Sequence, residues 1–330
     1  MEKRKPFSRE IILLEDPERA SGAIIEKLRQ DVLINFKRNG AVVGISGGID
    51  SSVCLALAVR AFGPDKVTGI IMPEKDSSPD SEQLALELAG KFGIRTIKEV
   101  ITDALDGFGC YRRRDEAVKR VFPEYDPATY KMKIGIRQSG LYNNLPPLFT
   151  LSVIDRNGVQ QDKILNARDY LQIVAASNFK QRSRMSILYY HAEALHCAVI
   201  GTPNKHEQEQ GFFVKFGDGA GDVMPIGNLY KTQVYQLAAH LGVPQSIIDR
   251  TPTTDTYSAT QTQEEFFYQL PFRMMDIYWY GFENGYTPEE VAAVMEETPG
   301  RIEALFRNFD RKRKTTEYLR MPPLRDYYSE

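Results

Sequence analysis

The chain has 330 residues, of which 42% are hydrophobic and 26% charged, and its formal net charge is −2 at pH 7. That length supports a full core, in one large domain or one domain with an appendage, and the near-zero charge gives no global pull toward nucleic acid or anionic membrane. Cys54, Cys110 and Cys197 form no CxxC pair, which argues against a zinc site or a redox dithiol.

The N-terminal MEKRKPFSRE has no apolar core of signal-peptide length, and no run approaches the roughly 18 apolar residues of a spanning helix. Free thiols fit a reducing compartment, so the expectation is a soluble cytoplasmic protein. In chain order, Ala20, Ile24, Ile25, Leu28, Val32 and Phe36 predict an amphipathic helix over Glu18 to Lys37, begun by Pro17 and ended at Asn39-Gly40. Ala41 to Ile45 reads as a buried parallel strand, followed by a glycine loop and a helix over Ser52 to Phe62. Val67 to Met72 and Ile94 to Lys98 read as strands around a helix from Asp80 to Phe92. Alternating strands and helices predict an α/β fold with a doubly wound, mostly parallel sheet flanked by helices.

The alternation breaks over about 105–165, read as an insertion. Within it, Arg112 to Arg120 looks helical, and Leu148 to Asp155 and Val159 to Leu165 flank Arg156-Asn157-Gly158 as a hairpin. Helix resumes over Ala167 to His196, then a strand over Cys197 to Ile200, a long polar loop to Gly227, and a helix over Lys231 to Leu241. Residues 1–263 are expected to form the α/β domain, and 264–330 a helical C-terminal extension of two or three aromatic-rich helices.

Ser46-Gly47-Gly48-Ile49-Asp50-Ser51-Ser52 lies directly between a strand and a helix. Adjacent glycines let an anion reach the backbone, and the helix adds unpaired N–H groups and its positive dipole end. A bare Gly-Gly would suit a plain tight turn, whereas the whole string in this setting favours a phosphate site. It lacks the GxxxxGK[ST] lysine and places Asp50 inside the anion site, which makes sense with a divalent cation between carboxylate and phosphate.

The string resembles the signature of N-type ATP pyrophosphatases, which cleave ATP to AMP and pyrophosphate and activate a substrate as an adenylate. Asn178-Phe179-Lys180-Gln181-Arg182-Ser183-Arg184-Met185, Gly201-Thr202-Pro203-Asn204-Lys205-His206-Glu207, Gly211 to Gly219, Asp222 to Thr232 and Pro252-Thr253-Thr254-Asp255 follow in order. Together they resemble the ammonia-dependent NAD synthetases over most of residues 20–260, outside the insertion. The resemblance implies ATP and Mg²⁺, with deamido-NAD and ammonia as reactants, and a homodimer. No glutaminase fits in the chain, so glutamine use would need a separate partner.

The resemblance also implies site residues. ATP is expected against Gly44, Ile45, Ser46, Gly47, Gly48, Ile49, Asp50, Ser51, Ser52, Met72, Thr202, Lys231 and Thr253. Asp50 and Glu207 are expected on Mg²⁺; Arg182, Lys215, Asp222 and Arg320 on the carboxylate substrate; and Asp50, Lys215 and Lys231 in catalysis. Taken alone, each lysine reads as surface, Glu207 as a solvated loop carboxylate, and Thr202 and Thr253 as turn residues. The four histidines read as structural, since cations, a metal and backbone donors suffice for the chemistry.

The chain departs from the family pattern toward its C-terminus. Tyr318-Leu319-Arg320-Met321-Pro322-Pro323 keeps only Arg320 of a basic string, Gln263 stands where the family has an aspartate, and the insertion is longer than the family's link. Phe266, Phe267, Tyr268, Phe272, Tyr278, Trp279 and Tyr280 read as core or dimer packing, with an altered substrate pocket as the other option. That leaves amidation of a different carboxylate as an alternative. A tRNA-modifying pyrophosphatase is disfavoured because Arg112-Arg113-Arg114 and Arg311-Lys312-Arg313-Lys314 are short runs that read as solvated helix faces. A non-catalytic nucleotide-binding protein would not need the retained acids and lysines.

Overall fold

The computed structural model describes residues 4–137, 148–254 and 256–325. Asp255 and part of the Gly-Asn-rich stretch of the insertion lie outside the described residues. Four strands, β1 (Ala41–Gly44), β2 (Val67–Ile71), β3 (Arg95–Lys98) and β7 (Ala198–Ile200), form a parallel sheet in the order β3-β2-β1-β7. Period-two alternation sends their side chains to two cores. Ala41, Val43, Ala198 and Ile200 pack with α1 (Pro17–Arg29), α2 (Ile49–Phe62) and α8 (Lys231–Leu241). Val42, Ile70 and Val199 pack with Met185, Leu188 and Ala192 of α6 (Ala167–Leu195). The sheet is therefore covered on both faces, as its near-continuous apolar strands require.

The first helix is shorter than its apolar spacing predicts. Asp16 caps it by accepting from Arg19 N at 2.9 Å, but Gln30–Asn35 widens to a π-turn in which Phe36 N donates to Asp31 O. Lys27 and Asn35 both hold the Asp31 side chain, and Asn39 N then donates to His196 O, which feeds the chain into β1. Helix α3 (Pro79–Phe92) stands between β2 and β3, as expected.

The insertion carries more structure than a hairpin. After α4 (Thr102–Gly107) and α5 (Cys110–Val121), β4 (Lys131–Arg137) joins β5 (Leu148–Ile154) and β6 (Gln160–Ile164) in an antiparallel sheet. The predicted turn is present: Asp155 accepts from Asn157 N at 2.8 Å and Val159 N at 2.9 Å. Met132, Ile134, Leu151 and Val153 form a core with α5 and Ile173 of α6.

The polar loop after β7 contains α7 (Lys205–Gln210) and, after α8, the short α9 (Gln245–Ile248). The C-terminal part comprises α10 (Phe272–Glu283), α11 (Pro288–Met295), α12 (Pro299–Thr315) and α13 (Glu317–Arg320). Tyr268, Tyr278 and Trp279 are buried in its core, with Phe267, Phe272 and Tyr280 packed against them, so these aromatics are packing residues.

Candidate active site

Between β1 and β7 the chain leaves in opposite directions, to β2 on one side and from α6 on the other. That is the switch point of the sheet, where open α/β sheets bind ligands. A cavity of about 430 Å³ lies there, lined by the β1 end (Gly44, Ile45), the glycine loop, Met72 after β2, and Thr202 and Glu207 after β7. Thr251 to Thr254 close another wall.

The glycine loop is held by its own serines. Gly48 N donates to Ser46 Oγ at 3.3 Å and Ser51 Oγ donates to Gly48 O at 2.9 Å. Helix α2 begins at Ile49 with no side chain capping it, so its first N–H groups and positive end face the cavity. Ser52 does not face it: it is fully buried and its hydroxyl donates to Gly48 O at 2.8 Å. Gly47 is also outside the lining; its carbonyl accepts from Arg250 at 3.3 Å. Its φ is +69°, and an added Cβ would meet Ser81 O at 2.8 Å and Leu84 Cβ at 2.9 Å. A Gly47→Ala variant is expected to weaken ATP binding about tenfold, the equivalent of about 1.4 kcal/mol, because the strained loop shifts its phosphate-facing N–H groups; calorimetric titration with ATP checks it, and an unchanged affinity contradicts it.

Asp50 and Glu207 line the cavity beside α2, while Lys231, expected against ATP, is outside the lining and meets Asp50 from behind. Lys231 Nζ donates to the Asp50 carboxylate; the lysine side chain is 0% exposed and that of Asp50 is 16% exposed. Asn204 Nδ2 approaches Asp50 Oδ1 at 3.3 Å. Burial pushes the Lys231 ammonium down, but the Asp50 and Glu207 carboxylates outweigh it and hold the group above its ordinary value. Glu207 is not on a loop. It is the third residue of α7, where it forms a capping box with Asn204, accepting from Asn204 N at 2.9 Å. Burial and the facing Asp50 push its carboxyl up to about 8, against the pull of Lys231.

Arg184, not Arg182, lines the cavity: Gln181, Arg184, Met185 and Leu188 share one face of α6, and Arg184 Nε donates to Met72 O at 3.3 Å. Arg182 is exposed and donates to Lys215 O at 3.3 Å. Lys215 and Arg320 are also outside the cavity lining. Lys215 Nζ donates to Tyr318 O at 2.7 Å and Met321 O at 2.9 Å, and Arg320 donates to Gln208 O at 3.1 Å and Glu209 O at 3.2 Å. They tie the C-terminal segment to α7 and the loop after it. Asp222 is exposed and accepts from Val199 N at 2.8 Å and Tyr189 Oη at 3.3 Å.

The cavity also holds charged residues to which the sequence assigned no definite role. Asp218 lines it, its carboxyl pushed up to about 6 by burial against the opposing pull of backbone N–H groups and Arg184. Arg250 lines it and donates to Ser81 Oγ at 3.0 Å. Glu74 lines it too, held from behind by Lys180 Nζ at 2.8 Å and Tyr111 Oη at 2.8 Å. The i, i+3, i+4, i+7 spacing of α6 would have selected Arg184; no local signal marks Glu74.

A parallel sheet with an anion cradle at its switch point, and an acid inside that cradle in place of the Walker lysine, defines a nucleotide-binding α/β enzyme of the ATP-pyrophosphatase type. The NAD synthase family model matches residues 22–145 and 150–320. An NH3-dependent NAD+ synthetase of Mesorhizobium japonicum is 48% identical over 91% of this chain and 94% of that protein. Proteins of the same name from Rhizobium meliloti and Methanocaldococcus jannaschii are 44% and 34% identical, over 97% and 91% of this chain and 95% and 93% of those proteins. The chain belongs to the NAD synthase family, and with it to the ATP-dependent carbon–nitrogen ligases. In fold it is similar to the NMN synthetase of Francisella tularensis, with TM-score 0.64 and 24% identity over 95% of this chain and 99% of that one. The NH3-dependent NAD synthetase of Campylobacter jejuni gives TM-score 0.60 and 20% identity over 94% and 100%.

Proposed function

We propose that the chain makes NAD from deamido-NAD, ATP and ammonia. The nicotinate carboxylate attacks the α-phosphorus of ATP, the α–β phosphoanhydride breaks, and pyrophosphate leaves an acyl-adenylate. Ammonia then attacks the acyl carbon, AMP departs, and a proton is lost to solvent to leave the amide. The observation that carries this reading is the convergence of Asp50, Glu207 and Lys231 on the uncapped end of α2. The N–H groups of the loop and first turn cradle the phosphates, and Lys231 supplies positive charge as the leaving pyrophosphate becomes more negative.

A divalent cation fits the same place. Asp50 and Glu207 both line the cavity, Lys231 pairs with Asp50 alone among the described residues, and burial together with the Asp50 charge pushes the Glu207 carboxyl up to about 8. Hard oxygen donors suit Mg²⁺, which keeps several waters and takes phosphate oxygens as ligands. No cluster of three or more metal-ligating side chains occurs among the described residues, so phosphates and water would complete the shell. When bound, the cation supplies charge neutralisation on the phosphates.

Arg182, Lys215 and Asp222 stay proposed for the acceptor, on the rim outside the ATP cavity. Arg320 acts there through the α7 carbonyls it holds. Free ammonia is the nitrogen source in this reading, and glutamine would require a separate glutaminase. Cys54, beside the site, is fully buried, and burial with the two carboxylates pushes its thiol well up, which makes it a poor nucleophile. No helix among the described residues is long and apolar enough to cross a membrane, which accords with a cytoplasmic enzyme. A homodimer stays proposed, as the family resemblance implies it.

The test is a turnover screen with ATP, Mg²⁺, ammonia and either deamido-NAD or the smaller nicotinic acid mononucleotide. Equal amounts of AMP and NAD from deamido-NAD are expected. AMP release with the mononucleotide alone would transfer the function to another carboxylate, and no AMP with either would refute adenylation of these acids.

A further inference from the structure

Among the buried acids that the catalytic proposal leaves unused, Asp276 stands directly behind the site. Asp276 of α10 is 0% exposed, and so is His206 of α7, whose Nε2 lies 2.5 Å from Asp276 Oδ1. The same carboxylate accepts from Lys231 N at 3.3 Å, Thr232 N at 2.7 Å and Thr232 Oγ1 at 2.5 Å. Two of the unpaired N–H groups at the start of α8 are thus capped by an acid 44 or 45 residues away in the chain. A carboxylate beside a helix N-terminus also gains from the helix dipole.

The surroundings fix this arrangement in place. Trp279, one turn along α10, meets the His206 ring edge-on at 5.9 Å, and Tyr268 meets it at 6.0 Å. His206 directly precedes Glu207, and Lys231 is the first residue of α8. Asp276 therefore touches α7, which delivers Glu207 to the cavity, and α8, whose buried Lys231 pairs with Asp50 of the cavity wall, without reaching the cavity itself.

We propose that Asp276 is a positioning residue for adenylation: through His206 and the α8 N-terminus, it sets Lys231 and Glu207 against Asp50. This rests on the catalytic reading of Lys231 given above. The C-terminal helices are then a working part of the active centre, because α10 holds its cation in place. An aspartate is required because all four contacts are donors or can be, and an amide offers only one accepting oxygen.

Asp276→Asn and Thr232→Val test this in the full chain, with deamido-NAD, ATP, Mg²⁺ and ammonia as reactants. The second variant removes only the hydroxyl donor and keeps the backbone bond. Both are expected to bind one ATP per chain with Kd within about threefold of the parent. The asparagine variant should lose about 10–100-fold in kcat, and the valine variant about 3–10-fold. A purely structural acid would instead lower the fraction of chains that bind ATP and leave kcat per bound site unchanged, which overturns the proposal. Turnover within twofold of the parent in a folded Thr232→Val or Asp276→Asn variant also overturns it. If Asp276→Asn does not fold, Thr232→Val decides. Lys231→Ala separates the two levels: normal turnover there defeats the catalytic reading, whereas a dead Lys231→Ala beside a normal Asp276→Asn defeats only the positioning role.

Discussion

Asp50→Asn is expected to lower kcat for NAD formation by about 10³-fold, the scale of a lost charge-stabilising group at a phosphoryl centre. The chain should also lose stability, because Lys231 is left fully buried without its counterion. Breaking a buried pair from one side costs about 3–5 kcal/mol, enough to lower Tm by several degrees. A simple local reading of Asp50 as a metal ligand would leave the fold untouched. The double variant Asp50→Asn/Lys231→Met should regain most of the lost Tm while staying inactive. Calorimetry and turnover on the same samples check both parts, and a double variant as unstable as the single one contradicts the pairing.

Glu207→Gln is expected to move activity and stability in opposite directions. In the folded chain this carboxyl holds its proton up to about pH 8, whereas its ordinary value is 4.5. Between those values the folded state binds more protons than the unfolded state, so stability falls as pH rises. The penalty is absent below about pH 4.5 and complete above about pH 8. Glutamine removes it and still offers an oxygen to Asn204 N, so the nucleotide-free variant should melt ~2–4 °C above the parent at pH 8 and level with it at pH 5. Turnover should fall about 10²-fold or more, since a group that destabilises the empty site is the one the phosphates and cation use. Equal melting shifts at both pH values would exclude this electrostatic origin.

The two expectations show which parts of the site could be read from the chain. The loop Ser46–Ser51 was legible because its chemistry is local: strand, paired glycines, acid and helix lie within a dozen residues. Glu207 was found through its motif, although Asn204-Lys205-His206-Glu207 also spells a helix start, and the acid belongs to α7 instead of a loop. Motif position marks Arg182, which lies outside the cavity, whereas the helical period of α6 marks Arg184, which lines it. β4 was missed despite the alternation of Met132 and Ile134, because neighbouring prolines and tyrosines read as irregular chain.

What the sequence hid is contact across long separations. Lys231 meets Asp50 across 181 residues, and Asp276 had no motif to mark it. The aromatics around it were correctly expected to be packing residues, but packing also fixes His206, and thereby the polar network behind the site.

The most direct test of adenylation uses no ammonia. With Mg²⁺, ATP, labelled pyrophosphate and deamido-NAD, label should enter ATP, and the exchange should stop when deamido-NAD is omitted or replaced by NAD, which has no free nicotinate carboxylate. Exchange that continues without any carboxylate, or NAD formation with ammonia but no exchange in its absence, would contradict an acyl-adenylate formed at this loop.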